Sequence, residues 1–286
     1  MNHKIELLLI CALALPACGD DSSTPGDGDD DGAAATDDTG SASEPATSTT
    51  AGEEGDETAA ATEEEDGGTD EETGEPGGDC TDQMIQDLGL VEGQTSAGVV
   101  GNTADGDGFA STVDATAGGI TMAPQNPWLY LRFTAEGLEK VDVDDLQALE
   151  SADWDIAAKR FGIRLNGGVS GPSTVSAAAL EGTAYEDVTE LPEGTELRTE
   201  SFYDAECNLI DDGSGQGSPG YELTPWWGYN GCVNTTGTPF VLELADGSHV
   251  KLVVDAYYMT GQQECNETGS MGMGSANFAW RWAYLQ

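Results

Sequence analysis

Toward the C-terminal end of this 286-residue chain, apolar and polar positions alternate with a period of two. Phe278, Trp280, Trp282 and Tyr284 are separated by Ala279, Arg281 and Ala283, which places four aromatic rings on one face of a strand. Upstream, residues 240–244 and 250–254 are apolar-rich runs on either side of Asp246-Gly247, the signature of a tight hairpin turn. Residues 128–134 and 154–165 read as two more strands. Helical periodicity is scarce, with one short helix allowed at 82–88 and another at 143–149. The pattern predicts a mainly β fold, a single antiparallel β-rich domain over residues 80–286.

The pattern stops abruptly on the N-terminal side of this domain. Residues 19–79 hold 22 acidic side chains and no Lys, Arg or aromatic residue, whereas all 20 aromatic residues lie at or beyond Phe109. Low hydropathy with a single sign of charge cannot bury enough surface to offset ordering, so residues 18–79 are expected to be a disordered acidic tether. Flexible-coil scaling gives such a tether a reach of about 45 Å. Its acidic runs, Asp29-Asp30-Asp31 and Glu63-Glu64-Glu65-Asp66, lack the organised oxygen cage that calcium prefers. Residues 1–17 read as a signal peptide, with Lys4 ahead of an apolar run at 7–15 that is too short to span a bilayer. Leu15-Pro16-Ala17-Cys18 resembles the lipobox of bacterial lipoproteins. That resemblance implies lipidation of Cys18, which would become the mature N-terminus and anchor the protein to the cell envelope, with the outer membrane as the expected site.

Charge narrows the list of partners. With 54 acidic residues against 9 basic ones the formal net charge is −45, and nucleic-acid binding is excluded. The domain itself keeps 31 acidic and 8 basic residues. Beyond Cys11 and Cys18 four cysteines remain, an even number in an exported chain, which favours two disulfides among three possible pairings. Cys207 and Cys232 flank one long Gly-rich excursion and are expected to pair. That leaves Cys80 with Cys265, a bridge from the domain's start to its last long loop. A zinc site would call for CxxC spacing, which is absent.

Three stretches carry a family resemblance. Residues 152–160, Ala-Asp-Trp-Asp-Ile-Ala-Ala-Lys-Arg, followed by Ile163-Arg164-Leu165-Asn166-Gly167-Gly168-Val169-Ser170-Gly171, resemble the signature of HmuY-like lipoproteins. Trp128-Leu129-Tyr130-Leu131-Arg132-Phe133 resembles the strand that precedes it, and Ala245-Asp246-Gly247, Val250-Lys251-Leu252 and Ala256-Tyr257-Tyr258 resemble the closing hairpin. The resemblance implies a mostly β fold likened to a half-open hand, on a lipoprotein that captures haem and passes it to an outer-membrane receptor. The founding type grips the iron through two histidines, and some relatives use methionines. Here His249 is the only histidine beyond the leader, and residues 172–248 contain neither His nor Met.

The remaining axial-ligand chemistry points to Met271 and Met273, two apart in a Gly-rich stretch that Met259 precedes; thioethers there could hold iron. The same methionines could equally cap the aromatic face of the last strand. Trp226-Trp227-Gly228-Tyr229 is the densest aromatic cluster outside the strands and could stack a flat ring or complete the core. His249 shares strand parity with Lys251 and is expected on the solvent side. Asp153 and Asp155 are expected on one strand face, as a possible carboxylate pair or a solvated edge. Pro172 takes the place of the last glycine of a nucleophile elbow after Gly168-Val169-Ser170-Gly171, so no catalytic motif emerges and a non-enzymatic protein is expected. Two readings follow: a tethered lipoprotein that binds a tetrapyrrole or another flat apolar ligand, and a cofactor-free interaction or structural protein on the same scaffold.

Overall fold

The structure, a computed structural model, describes residues 80–286. The expected signal peptide, Cys18 and acidic tether lie outside the described residues. Helix α1 (Thr81–Asp87) leads into strands β1 (Val100–Asp105) and β2 (Gly108–Asp114). Next come β3 (Leu129–Thr134), β4 (Gly137–Val141), the one-turn helix α2 (Asp145–Ala148), β5 (Ile156–Lys159), β6 (Gly162–Leu165) and β7 (Ser176–Ala179). A long excursion carries β8 (Trp227–Tyr229) and β9 (Val233–Thr235). The chain closes with β10 (Phe240–Glu243), β11 (His249–Thr260), α3 (Gln262–Thr268) and β12 (Met273–Tyr284). These strands form a six-stranded sheet in the order β1-β2-β12-β11-β10-β7, a four-stranded sheet β4-β3-β5-β6, and the β8–β9 hairpin, with antiparallel pairing throughout.

The four-stranded sheet is buried on both faces. Strand alternation sends Leu129, Leu131, Phe133, Ile156, Ala158, Ile163 and Leu165 into the main core, where Phe278, Trp280 and Trp282 of β12 lie. The opposite face carries Tyr130 and Ala157, which pack with Trp128, Trp154, Phe202 and Tyr221 in a second core closed by Met84 and Leu88 of the α1 segment. Strands sandwiched in this way read as near-continuous apolar runs.

Arg164 projects from β6 into the second core and has no exposed surface. Its guanidinium carbon lies 5.0 Å from the Trp128 ring centroid, 5.4 Å from Tyr130 and 5.1 Å from Trp154. Nη1 donates to the Ser170 carbonyl at 2.9 Å and hydroxyl at 3.1 Å, and Nη2 to the Tyr130 hydroxyl at 2.6 Å. That hydroxyl donates in turn to Asp145 at 2.9 Å, and Asp145 also accepts the Trp128 and Val91 amides.

Several sequence expectations change. Residues 154–165 are not one strand: β5 and β6 pair across a turn at Arg160-Phe161, with Arg160 held at φ 54°. The helix at 143–149 shrinks to one turn, capped by Asp144, whose carboxylate accepts the Leu146 and Gln147 amides. The last long loop contains α3. The expected cysteine pairing is also wrong. Cys80 bonds Cys207 across 127 residues and Cys232 bonds Cys265 across 33. The Gly-rich excursion is not a single loop. Its start, Phe202 to Cys207, packs in the second core beside α1, while Cys232 belongs to the main core with Cys265 of α3. By loop-closure entropy the two bridges contribute about 5 and about 4 kcal/mol.

An Arg164→Lys substitution tests the buried guanidinium. A lysine cannot fill three ring faces and bridge Ser170 to Tyr130 at once, so unfolding in urea is expected to lose about 3 kcal/mol. Arg132→Lys, in an exposed pair with Asp153, is expected to lose less than about 1 kcal/mol. Equal losses at the two positions would refute the assignment.

Candidate functional site

The structure does not gather the residues singled out from the sequence into one place. Trp226 and Trp227 are 1% and 8% exposed and belong to the main core, Trp226 packed edge-on against Phe278 with a 5.2 Å centroid separation. They complete the core and offer no open ring face. Tyr229 is half exposed at the end of β8. Met271 and Met273 are 68% and 73% exposed, so they do not cap the aromatic face of β12. His249 is partly exposed, 3.2 Å from the Glu243 carboxylate. Asp153 and Asp155 part company: Asp153 is exposed beside Arg132, whereas Asp155 is buried and accepts the Phe133 amide at 2.9 Å. Among the described residues no group of three or more His, Cys, Asp or Glu side chains is arranged to hold a metal ion.

Among the described residues, two grooves combine room for part of a small molecule with mainly apolar walls. One, of about 400 Å³, lies over β2, β12 and β11 and is lined by Val99, Tyr258, Met259 and Phe278, with Asp114 and no Lys or Arg. Gly274 makes room for Met259 there: its φ is 68°, and a Cβ would lie 2.7 Å from that of Met259. Neither Met271 nor Met273 lines this groove.

The other groove, of about 310 Å³, opens at the edge of the second core. Leu88, Pro124, Phe161 and Pro219 line it, and Trp128 and Tyr221 meet edge to face there with centroids 6.1 Å apart. Gly162 permits that meeting, because a Cβ would approach the Trp128 ring to 3.0 Å and the Tyr221 ring to 3.3 Å. Ile120 stands at its rim, 78% exposed. Lys159 lines it while only 8% exposed, its Nζ donating to the Gly89 carbonyl at 2.9 Å. Burial pushes this ammonium down to about 8, an effect that Asp145 opposes and Arg164 reinforces. Burial also pushes the Tyr221 hydroxyl up, so it stays protonated and is a poor iron donor. No His, Met or Cys lines this groove, so its residues suit the ring and the acid groups of a tetrapyrrole but not its iron.

Behind the groove, Glu200 is 1% exposed and accepts the Leu165 amide at 2.8 Å and the Glu222 amide at 3.1 Å. Burial pushes its carboxyl up to about 8 in spite of these two bonds. Sequence reading passed over Lys159 and Glu200. For Lys159 a signal existed: in Ile156-Ala157-Ala158-Lys159 the parity of Ile156 and Ala158 sets Lys159 on the other face, with Ala157.

The architecture is that of a β-rich domain with a six-stranded and a four-stranded sheet, the β8–β9 hairpin and a groove beside its second core. Compared with known families, residues 124–269 match the model of the HmuY protein family. The chain belongs to the HmuY family. Among solved structures, a candidate lipoprotein of Bacteroides fragilis shares 14% identity over 64% of this chain and 95% of its own, with a TM-score of 0.40. A protein of Bacteroides vulgatus described as an HmuY-like haem-binding candidate shares 17% over 63% and 93%, with a TM-score of 0.41. The apo HmuY analog of Tannerella forsythia shares 16% over 68% and 99%, with a TM-score of 0.36. No curated protein matches the chain in sequence.

The two buried groups give stability a defined pH dependence. Glu200 keeps its proton when folded up to about 8 but loses it near 4.5 when unfolded, so its contribution falls as pH rises from about 4.5 to about 8. Lys159 releases its proton near 8 when folded and near 10.5 when unfolded, so stability recovers between about 8 and 10.5. Asp145, Asp155 and Glu222, all raised mainly by burial, add to the fall at its acid end. Urea midpoints are therefore expected to be lowest near pH 8, and Glu200→Gln is expected to flatten the decline above about pH 6. A profile unchanged by that substitution would contradict the assignment.

Proposed function

We propose that this protein is an exported, lipid-anchored envelope protein of the haem-binding type, taking a tetrapyrrole or another flat apolar ligand and acting without catalysis. The observation that carries this reading is membership of the HmuY family over residues 124–269. The lipobox-like Leu15-Pro16-Ala17-Cys18 supports the anchor, and the acidic stretch after it supports a spacer that lifts residues 80–286 from the outer membrane toward a receptor. Two histidines from one chain are not available to an iron, since His249 is the only one in the domain. Its candidate axial donors are the exposed thioethers of Met271 and Met273. A second reading, a cofactor-free interaction protein, draws on the burial of Trp226 and Trp227 and on the absence of both methionines from the two grooves.

Titration of the disulfide-bonded protein with haem and with metal-free protoporphyrin, followed by absorption and by tryptophan emission, separates the two readings. Saturable stoichiometric binding is expected. A sharpened haem band that weakens in Met271→Ala or Met273→Ala would assign the iron to the thioethers, and binding without that band would assign it to no protein donor. If neither compound binds at micromolar protein, the tetrapyrrole reading falls and the cofactor-free one stands. The anchor has its own test: Cys18→Ser is expected to abolish labelling by a fatty acid and to release the protein from the membrane fraction. Continued labelling would remove Cys18 from its role.

A further inference from the structure

Lys159 is out of keeping with the electrostatics of the rest of the molecule. With 54 acidic residues against 9 basic ones, a cation finds a carboxylate easily. Arg132, Lys140, Arg198 and Arg281 each do so within 3.3 Å. Among the described residues Lys159 forms no ion pair, although it is nine-tenths buried and its burial calls for compensation more strongly than theirs. Of the three N–H donors of its ammonium, one is used, on the Gly89 carbonyl. Arg160, Arg164 and Lys251 also lack a carboxylate, but Arg160 and Arg164 make hydrogen bonds to carbonyl and hydroxyl oxygens, and two carbonyls at 3.2 and 2.8 Å and the Tyr185 ring at 4.4 Å satisfy Lys251.

The charges around Lys159 are otherwise committed: Asp145, whose charge partly offsets the burial of the ammonium, is taken up by the Tyr130 hydroxyl and the Trp128 and Val91 amides. Asp87, in the same groove, accepts from Gln83 at 2.9 Å and from the Tyr203 hydroxyl at 3.0 Å. Arg160 turns its guanidinium to the Thr116 carbonyl and the Ser275 hydroxyl. Arg164 is enclosed by its three rings. The groove thus combines apolar walls, an edge-to-face pair of rings and one buried cation with donors to spare.

We infer that this groove binds the carboxylate-bearing edge of a flat apolar ligand, with Lys159 pairing the acid and Trp128 and Tyr221 packing against the ring system. The inference deepens the tetrapyrrole reading: a porphyrin carries acid groups on an apolar disc, and the site engages that edge without reference to a metal. A bound carboxylate gives the ammonium a directly hydrogen-bonded counter-charge, which Asp145, acting on it without forming an ion pair, does not.

The test compares protoporphyrin IX with its dimethyl ester on the intact disulfide-bonded protein, reading porphyrin emission. The diacid is expected to bind about tenfold or more tightly than the ester, the scale of one charge-assisted hydrogen bond. Lys159→Gln is expected to bring the diacid down to the affinity of the ester and to leave the ester unchanged. Ile120→Glu adds an anion at an exposed rim position that the fold does not need, and should weaken the diacid more than the ester. Equal affinity for diacid and ester, or a diacid affinity that neither substitution moves, would overturn the inference while leaving tetrapyrrole binding intact. Failure of both porphyrins to bind would overturn the inference and the tetrapyrrole reading together. Because the probe carries no iron, the methionine substitutions are read separately.

Discussion

A guanidinium with no exposed surface is tolerated only where ring faces and oxygen atoms replace its water, and Arg164 obtains these from three parts of the chain. Trp128 and Tyr130 come from the β3 segment, Trp154 from the approach to β5, and Ser170 from the turn after β6. Asp145 of α2 holds the Tyr130 hydroxyl and fastens the Val91 amide as well, which ties in the segment that follows α1. Displacing any one of these elements exposes the charge or strands it. The main core, by contrast, is apolar and would accept many hydrophobic combinations of equal volume. The polar box is what requires this particular arrangement of α2, β3, β5 and β6.

The same box overlaps the stretch that carries the family resemblance. Trp154, Arg164, Asn166 and Ser170 all fall within the stretch that resembles the HmuY signature, and all four are buried. Asn166 donates to the Ser151 and Trp154 carbonyls at 2.9 and 2.8 Å, fixing the loop that presents the Trp154 ring. These residues build the scaffold and do not face either groove. All four lie within residues 124–269, the stretch that matches the family.

How much could be read in advance depended on the range of each interaction. The hairpin of β10 and β11 and the aromatic face of β12 were legible because alternation and a two-residue turn are local signals. The Arg160-Phe161 turn was not, since no glycine marks it and Arg160 itself takes the left-handed conformation. Cysteine pairing failed for a non-local reason: proximity along the excursion says nothing about which of two cores each end enters. Trp226 and Trp227 stayed ambiguous for the same reason, because a dense aromatic run does not reveal whether its faces are covered, and the structure places both in the core. The isolation of Lys159 is the least legible feature of all. A missing partner is defined by every other side chain in the fold.

The arrangement of the two disulfides has a mechanical consequence. Tension arriving at Cys80 from the N-terminal side crosses through the disulfide to Cys207. Everything between them, including α1, the four-stranded sheet and the Arg164 box, lies in a covalent bypass that bears no load. The second bridge shunts force from Cys232 to Cys265 in the same manner. Under a pull between the two ends of the domain, only residues 207–232 and 265–286 can lengthen while the sulfurs remain joined. The groove walls at Trp128 and Lys159 lie inside the first bypass, whereas Tyr221, which meets Trp128 there, belongs to the segment that can lengthen.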